Sequence, residues 1–154
     1  MKNVEIKSFK KTLSKFTTGV SVVCVNNKNK IYGKTVNSFN SLSLNPPLVL
    51  FSLGNYSSSI KNFTNSNYLT INILAKKQKN ISNNFSQTKP VTKNIDFVQG
   101  ENDTYYINGC IANLECKLID RIKKGDHIIF ICKVLRVQND NKLKPLSYFN
   151  SSYY

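Results

Sequence analysis

The sequence predicts a mainly β fold in which about six antiparallel strands close, or nearly close, into a barrel flanked by short helices. Short stretches rich in β-branched residues recur along the chain, and neighbouring stretches are joined by turns. The regular strand–helix alternation of a parallel Rossmann fold is missing, as is its G-x-G-x-x-G motif. A barrel is therefore favoured, because closure leaves few free strand edges.

The first predicted elements are an amphipathic helix and a hairpin. Phe9, Leu13 and Phe16 recur at spacings of four and three within residues 7–16, which predicts an apolar stripe on a short helix. The hairpin after this helix is predicted to consist of strands at 20–25 and 31–39 around a polar turn at 26–30.

The strand pattern is interrupted at residues 45–47, because neither Pro46 nor Pro47 can donate to a strand ladder. Residues 86–109 are polar and contain Pro90 and Gly100, so we predict that they form an irregular segment on the surface. The elements predicted around this segment are a strand at 48–53, a helix carrying Ile60 and Phe63, a strand at 68–74, a helix through Leu74, Gln78, Ile81 and Phe85, and a long strand pair at 112–122 and 127–138.

Length and charge limit the function only loosely. A chain of 154 residues predicts one domain spanning 1–154, with room for one sizeable core. The formal charge of +14, from 22 basic and 8 acidic residues, is typical of proteins with anionic partners such as nucleic acid, acidic membranes or phosphate-bearing cofactors. The lysines are spread along a chain also rich in Asn and Ile, as AT-rich coding sequences produce. The charge by itself therefore selects no partner.

The cysteines and the termini indicate an intracellular protein without a metal site. The four cysteines lie in or beside apolar runs, form no C-x-x-C pair and accompany a single histidine, so neither a disulfide framework nor a metal site is expected. No apolar stretch is long enough to cross a bilayer, and Met1 to Glu5 precede no apolar signal region. We expect a cytoplasmic protein.

Residues 35–43 contain the densest group of candidate ligand-binding side chains. Six hydroxyl or amide side chains are interleaved there with apolar ones, and on one strand residues 35, 37, 39, 41 and 43 would share a face. The structural interpretation is an edge strand with a solvated face. The functional interpretation is a surface that presents hydroxyls, amides and backbone N–H groups to a planar, phosphate-bearing ligand. The pattern alone leaves both open.

Two further positions could contribute to a site. The segment from Asn72 to Gln78 predicts a strand that turns directly into a helix, where unpaired N–H groups could meet an electron-rich ligand atom. His127, the only histidine, follows a turn and begins an apolar strand. It is either a structural residue or a group that orients or protonates a bound substrate.

Taken together, these segments resemble the flavin reductase family, small reductases with an FMN-binding split-barrel fold. The resemblance covers nearly the whole chain and rests on seven motifs in register. They are F-T-T-G-V-S-V-V at 16–23, G-K-T-V-N-S-F-N-S-L-S-L-N-P-P-L at 33–48, N-I-L-A at 72–75, Gln78 with Phe85, L-E-C at 114–116, G-D-H at 125–127, and P-L-S-Y at 145–148.

The resemblance implies a homodimeric enzyme that transfers a hydride from C4 of NADH or NADPH to N5 of FMN or FAD, with the flavin near the subunit interface. It implies isoalloxazine contacts from residues 35–38 and 72–74, phosphate or ribityl contacts from Ser41, Ser43 and residues 57–58, and His127 near the nicotinamide as the catalytic residue. The candidate cofactor-binding residues are Lys34, Thr35, Val36, Asn37, Ser38, Ser41, Leu42, Ser43, Ser57, Ser58, Asn72, Ile73, Leu74, Gln78 and Phe85.

Three positions depart from the family pattern. Lys34 stands where an apolar residue is common, the 55–59 loop lacks the basic residue often found there, and Thr17 replaces a proline. The second departure implies that phosphate binding depends on hydroxyls or on a lysine from elsewhere.

Other functions stay open beside this resemblance. A flavin-binding split barrel could catalyse a different oxidation, because a fold does not fix chemistry. A basic nucleic-acid-binding barrel is the remote alternative, but Tyr105-Tyr106 is the only adjacent aromatic pair before the C-terminus and lies outside any basic strand. We therefore expect no nucleic acid and no membrane partner. A flavin-dependent monooxygenase could receive the reduced flavin.

Overall fold

The structure, a computed structural model, describes residues 4–154, so the expectation for the first three residues lies outside the part described. The α-helices are α1 (Ile6–Leu13), α2 (Ile60–Asn65) and α3 (Lys79–Ser86), the last preceded by a 3-10 turn at Lys76–Gln78. The strands are β1 (Thr18–Gly19), β2 (Ser21–Asn27), β3 (Lys30–Val36), β4 (Asn40–Ser43), β5 (Leu48–Gly54), β6 (Tyr68–Ile73), β7 (Phe97–Gln99), β8 (Tyr105–Ile107), β9 (Ala112–Lys124), β10 (His127–Asn139), β11 (Ser147–Phe149) and β12 (Ser152–Tyr153).

An antiparallel sheet of seven strands, in the order β3-β2-β6-β9-β10-β5-β4, forms the body of the fold. Two small sheets accompany it, β1-β11-β12 and β7-β8. The prediction of a mainly β, antiparallel fold is confirmed, including the β2–β3 hairpin and the long β9–β10 pair. The prediction of about six strands falls short of the twelve observed: residues 40–43 add a seventh strand to the main sheet, and five short strands form the two small sheets.

The two edges of the seven-stranded sheet meet where the chain passes from β3 to β4. Asn40 pairs with Leu50 of β5, and continuing that register by two residues sets Ser38 opposite Ser52. There the Ser38 hydroxyl donates to the Ser52 carbonyl at 3.1 Å and accepts from the Ser52 N–H at 3.0 Å. One side chain thus replaces the main-chain ladder, and the sheet closes into a barrel with a split.

Strand β2 is buried on both faces and separates two apolar clusters. Val23 and Val25 face the barrel interior, where Phe51 and Phe130 stack with ring centroids 5.0 Å apart. The opposite side of β2 packs on the second cluster, which contains Leu74 beneath α3, β8 and the C-terminal strands. Burial on both faces explains the continuous apolar run of this strand.

Residues 86–109 are a second correction, because this segment is not wholly irregular. Strands β7 and β8 pair with each other as a hairpin. The hairpin is fixed to β6 through side chains: Thr70 donates its hydroxyl proton to the Tyr105 carbonyl at 2.7 Å, and the Ile107 N–H donates to Asn72 Oδ1 at 2.9 Å. Strands of three residues that are anchored by side chains leave little periodic signal in a sequence.

The helix predicted at residues 7–16 forms as α1 but ends at Leu13, so Phe16 lies beyond it, and the apolar stripe is not buried within the chain. Phe9 is 52 % exposed, Leu13 55 % and Phe16 76 %. The helices predicted around Phe63 and Phe85 form as α2 and α3, and both phenylalanines are fully buried. Among the described residues, no helix is both long and apolar enough to cross a membrane.

The contact between β3 and α3 generates a stability prediction. A Cβ added at Gly33 would lie 2.5 Å from two ring carbons of the buried Phe85. We expect Gly33→Ala to lower the free energy of unfolding by roughly 1–3 kcal/mol through overpacking. Denaturant unfolding would measure the loss. Gly19→Ala is the matched control, because a Cβ there meets nothing within 4 Å. Equal stability of both variants would contradict the packing described here.

Candidate functional site

The split of the barrel opens into a cavity of about 390 Å³. Three walls form this cavity. The first is the end of β3 with residues 37–39, called the crossing segment here because they pass from β3 to β4. The second is the end of β5 with the loop after it, and the third is the segment after α3, with His127 beside them. The lining residues are Lys34, Thr35, Val36, Asn37, Ser38, Ser52, Leu53, Gly54, Tyr56, Ser57, Ser58, Ser86, Thr88 and His127.

The lining combines hydrogen-bonding groups with a small apolar surface. Hydroxyl and amide side chains predominate, and Val36, Leu53 and Tyr56 supply the apolar contacts. The lining contains two groups that carry or can carry positive charge, Lys34 and His127, and no carboxylate. This composition suits a ligand that is planar, polar at one edge and anionic at one end.

A second cavity of about 690 Å³ continues the first, because Thr35, Val36, Asn37, Tyr56 and Ser86 line both. Its further lining comes from α1, from the residue between β1 and β2, and from the C-terminal strands. Those residues are Lys10, Val20, Tyr148 and Tyr153.

Ser82 of α3 ties these walls together. Its carbonyl accepts a hydrogen bond from the Thr35 hydroxyl at 2.7 Å, and its own hydroxyl lies 2.9 Å from the Tyr153 hydroxyl. The result is one extended cleft with room for a planar group at the split and a second group beside it.

His127 reaches the cleft because β10 begins at this residue. It pairs with Gly54 of β5, which also lines the cavity. Its Nδ1 lies 2.7 Å from Asp126 Oδ1, and its side chain is 44 % exposed. The hydrogen bond with His127 lowers the pKa of the Asp126 carboxyl below its usual range. In the neutral ring, Nδ1–H donating to this carboxylate leaves Nε2 as the free acceptor.

The structure brings together the candidate residues at 34–38, Ser57, Ser58 and His127, all on the first cavity. Ser41, Leu42 and Ser43 lie on the edge strand β4, beyond the split, and none lines this cavity. A bulge between Ser41 and Ser43 breaks their alternation. The expected single face from residue 35 to 43 is therefore not formed, because the strand ends at Val36 and begins again at Asn40.

Asn72 is fully buried, and its amide serves the scaffold. Its Nδ2 donates to the Val22 carbonyl at 2.9 Å, and its Oδ1 accepts from the Ile107 N–H at 2.9 Å and from Asn113 Nδ2 at 2.8 Å. The side chain joins β2, β6, β8 and β9. It has no polar atom left for a ligand.

Leu74, Gln78 and Phe85 are also buried, away from the cleft. Gln78 accepts from the Ala75 N–H at 2.9 Å and donates to the Asn108 carbonyl at 2.8 Å. Ile73 differs, because it lines a third cavity of about 250 Å³ together with Asn37 and Phe39. Of the candidate residues 72–74, Ile73 is therefore the one that shares a cavity with the crossing segment.

Several lining residues were not predicted. Ser52 and Leu53 were assigned only to an apolar strand and Gly54 to the loop after it. Their place at the split follows from pairing across the sheet. Nothing in the sequence marks Ser86, Thr88, Tyr148 or Tyr153 as neighbours of residues 34–38. Tyr56 offered the one usable signal, an aromatic side chain inside a polar loop.

The four cysteines are free and buried, away from the lining of the first cavity. Burial raises the pKa of the Cys132 thiol to about 12 and that of Cys110 to about 11. Burial also raises the pKa of Cys24 and Cys116. Such thiols are poor nucleophiles, since the thiolate is the reactive form.

Comparison with known proteins points to one family. The profile of the flavin reductase like domain matches residues 13–154. The chain is 35 % identical over 130 residues to FMN reductase (NADH) SmoA of Agrobacterium fabrum, covering 84 % of this chain and 75 % of that protein. It is 32 % identical over 153 residues to the reductase component of flavin-dependent trigonelline monooxygenase from Acinetobacter baylyi, covering 97 % of this chain but only 49 % of that protein.

Solved structures agree with the sequence comparison. The NADH:FAD oxidoreductase SgcE6 of Streptomyces globisporus superposes with a TM-score of 0.91 at 27 % identity, over 100 % of this chain and 96 % of that one. The flavin reductase PheA2 superposes with a TM-score of 0.90 at 31 % identity, over 98 % and 97 % of the two chains. The split barrel is thus the fold of this chain.

The position of Asn72 generates a prediction that separates scaffold from ligand contact. We expect Asn72→Ala to lower the free energy of unfolding by roughly 2–4 kcal/mol, because it leaves the Ile107 N–H and the Asn113 amide without their shared acceptor. Thermal or denaturant unfolding would measure it, with the exposed Asn80→Ala on α3 as control. A fully stable Asn72→Ala protein that had lost only ligand affinity would reverse this assignment.

Proposed function

We propose, on the premise that this chain belongs to the flavin reductase like domain family, that it is an NAD(P)H-dependent reductase of FMN or FAD. The observation that carries the proposal is the cleft at the barrel split, which joins residues 34–38 to His127 and the Ser57–Ser58 loop. The relatives named as FMN reductase (NADH) and NADH:FAD oxidoreductase support both the flavin and the nicotinamide nucleotide.

The residues present in the cleft fit a flavin. The isoalloxazine ring needs apolar contacts on its faces, which Val36, Leu53 and Tyr56 provide. Its pyrimidine edge needs hydrogen-bonding partners, and the Thr35 and Asn37 side chains lie on the crossing side of the cavity. The adjoining cavity lined by Tyr148 and Tyr153 leaves space for a nicotinamide.

When both nucleotides are bound they supply the redox chemistry, a hydride passing from nicotinamide C4 to flavin N5. The chain binds and orients the two rings, which lowers the barrier by removing the freedom they would otherwise lose. A hydrogen-bond donor at the pyrimidine edge, such as the Asn37 amide, would stabilise negative charge that develops there. We propose that His127, held by Asp126, orients the nicotinamide or protonates a bound group.

Assembly and partners follow from the same proposal. The exposed apolar side chains of α1 and of Phe16 just after it support a homodimer that covers Phe9, Leu13 and Phe16. The relatives that are reductase components of monooxygenases support a flavin-dependent monooxygenase as the partner that receives the reduced flavin. We propose NADPH as well as NADH as the hydride donor.

A steady-state assay that crosses FMN and FAD with NADH and NADPH tests the function. We expect nicotinamide oxidation that requires added flavin and exceeds the rate without protein for at least one pair. Flavin binding without any nicotinamide-dependent bleaching would favour another oxidoreductase activity on this fold.

The same assay with His127→Ala tests the proposed role of the histidine. We expect turnover to fall roughly ten- to hundred-fold, with a smaller change in flavin affinity, because the second ring loses its orientation. Lys133→Ala, an exposed change on the same strand outside the cleft, is the control. An unchanged rate in His127→Ala would remove the histidine from the mechanism.

A further inference from the structure

Lys34 is the one lysine in the first cavity, and the structure holds its amine in a defined place. The residue lies on β3 opposite Val23 of β2, and its side chain is only partly exposed. Its Nζ donates to the Gln87 carbonyl at 2.8 Å. Gln87 is the C-cap of α3, where the carbonyl groups carry partial negative charge that favours a cation.

No carboxylate neutralises this amine. Among residues 4–154, the ion pairs are those of His127 with Asp126 and of Arg136 with Glu101 and Glu115. The lining of the first cavity contains no acidic residue. Burial lowers the pKa of the Lys34 amine below its usual range.

Hydroxyl groups surround the same part of the cavity. Ser86 and Thr88 flank Gln87 in sequence and line the cavity with Lys34. The facing wall supplies Ser57 and Ser58, and the Ser58 hydroxyl spans the gap to the Thr88 carbonyl at 3.1 Å. Small hydroxyl donors around a single cation are the groups that bind a phosphate oxyanion.

We propose that Lys34, with the hydroxyls of Ser57 and Thr88, anchors a phosphate group of the bound nucleotide. The inference rests on the proposed reductase function and adds to it the residue that selects phosphorylated substrates. The phosphate is either that of the flavin chain or the 2′-phosphate of NADPH. Lys34 is a positioning residue, because it holds the nucleotide by an end that does not react.

Two substrate ratios test the proposal in wild-type protein, Lys34→Met and Lys34→Arg. The first is the affinity for FMN relative to riboflavin, which lacks the phosphate, from quenching of flavin fluorescence. The second is kcat/KM for NADPH relative to NADH. Lys133→Met is the matched control, an exposed lysine on β10 outside the cavity. Thermal unfolding of every variant checks that the fold is kept.

We expect Lys34→Met to reduce one ratio roughly 10- to 100-fold, as loss of a charge-assisted hydrogen bond does, while Lys34→Arg retains most of it. A fall in the FMN-to-riboflavin ratio identifies the flavin phosphate, and a fall in the NADPH-to-NADH ratio identifies the 2′-phosphate. If Lys34 were only structural, Lys34→Met would lower stability. It would then change the affinities for FMN and riboflavin by the same factor, and likewise kcat/KM for NADPH and NADH.

The proposal is overturned if wild-type protein reduces flavin and both ratios are the same in Lys34→Met as in wild type. That result would leave the reductase function standing. Wild-type protein that reduces neither riboflavin nor FMN with either nicotinamide would instead refute the proposed function, and this inference with it.

Discussion

The hydroxyl of Ser38 joins the two edges of the main sheet, and the position of the cleft depends on this contact. The chain leaves β3 at Val36, crosses the split, and resumes pairing at Asn40 on the far edge. Where the backbones have diverged, Ser38 exchanges two hydrogen bonds with the main chain of Ser52. The split is therefore bridged at one point without becoming a continuous ladder, and the cavity lies beside this bridge.

The charge of the chain acquires a specific meaning at this cleft. A net charge of +14 attracts phosphates to the whole surface and does not select among them. Selection needs a cation that is partly removed from water and lacks a carboxylate partner, and Lys34 meets both conditions. His127 stands at the end of β5 with its own carboxylate, Asp126. We propose that Lys34 marks the anion-binding end of the cleft and His127 its reacting end.

The sequence predicted the elements whose signal is local. Alternation and turn residues were sufficient for β2, β3, β9 and β10, and the motif at residues 33–48 located one wall of the cleft. Neither could show that the strand is interrupted at 37–39, because the interruption depends on a contact with Ser52 on a distant strand. Asn72 illustrates a second limit. An amide between strand and helix has the same sequence signal whether it meets a ligand or, as here, links four strands.

A crystal structure of the protein with FMN bound tests the central claim most directly. The account predicts isoalloxazine density between residues 35–38 and the end of β5, within reach of His127. Flavin bound elsewhere, for example only in the cavity between Phe39 and Ile73, would contradict it.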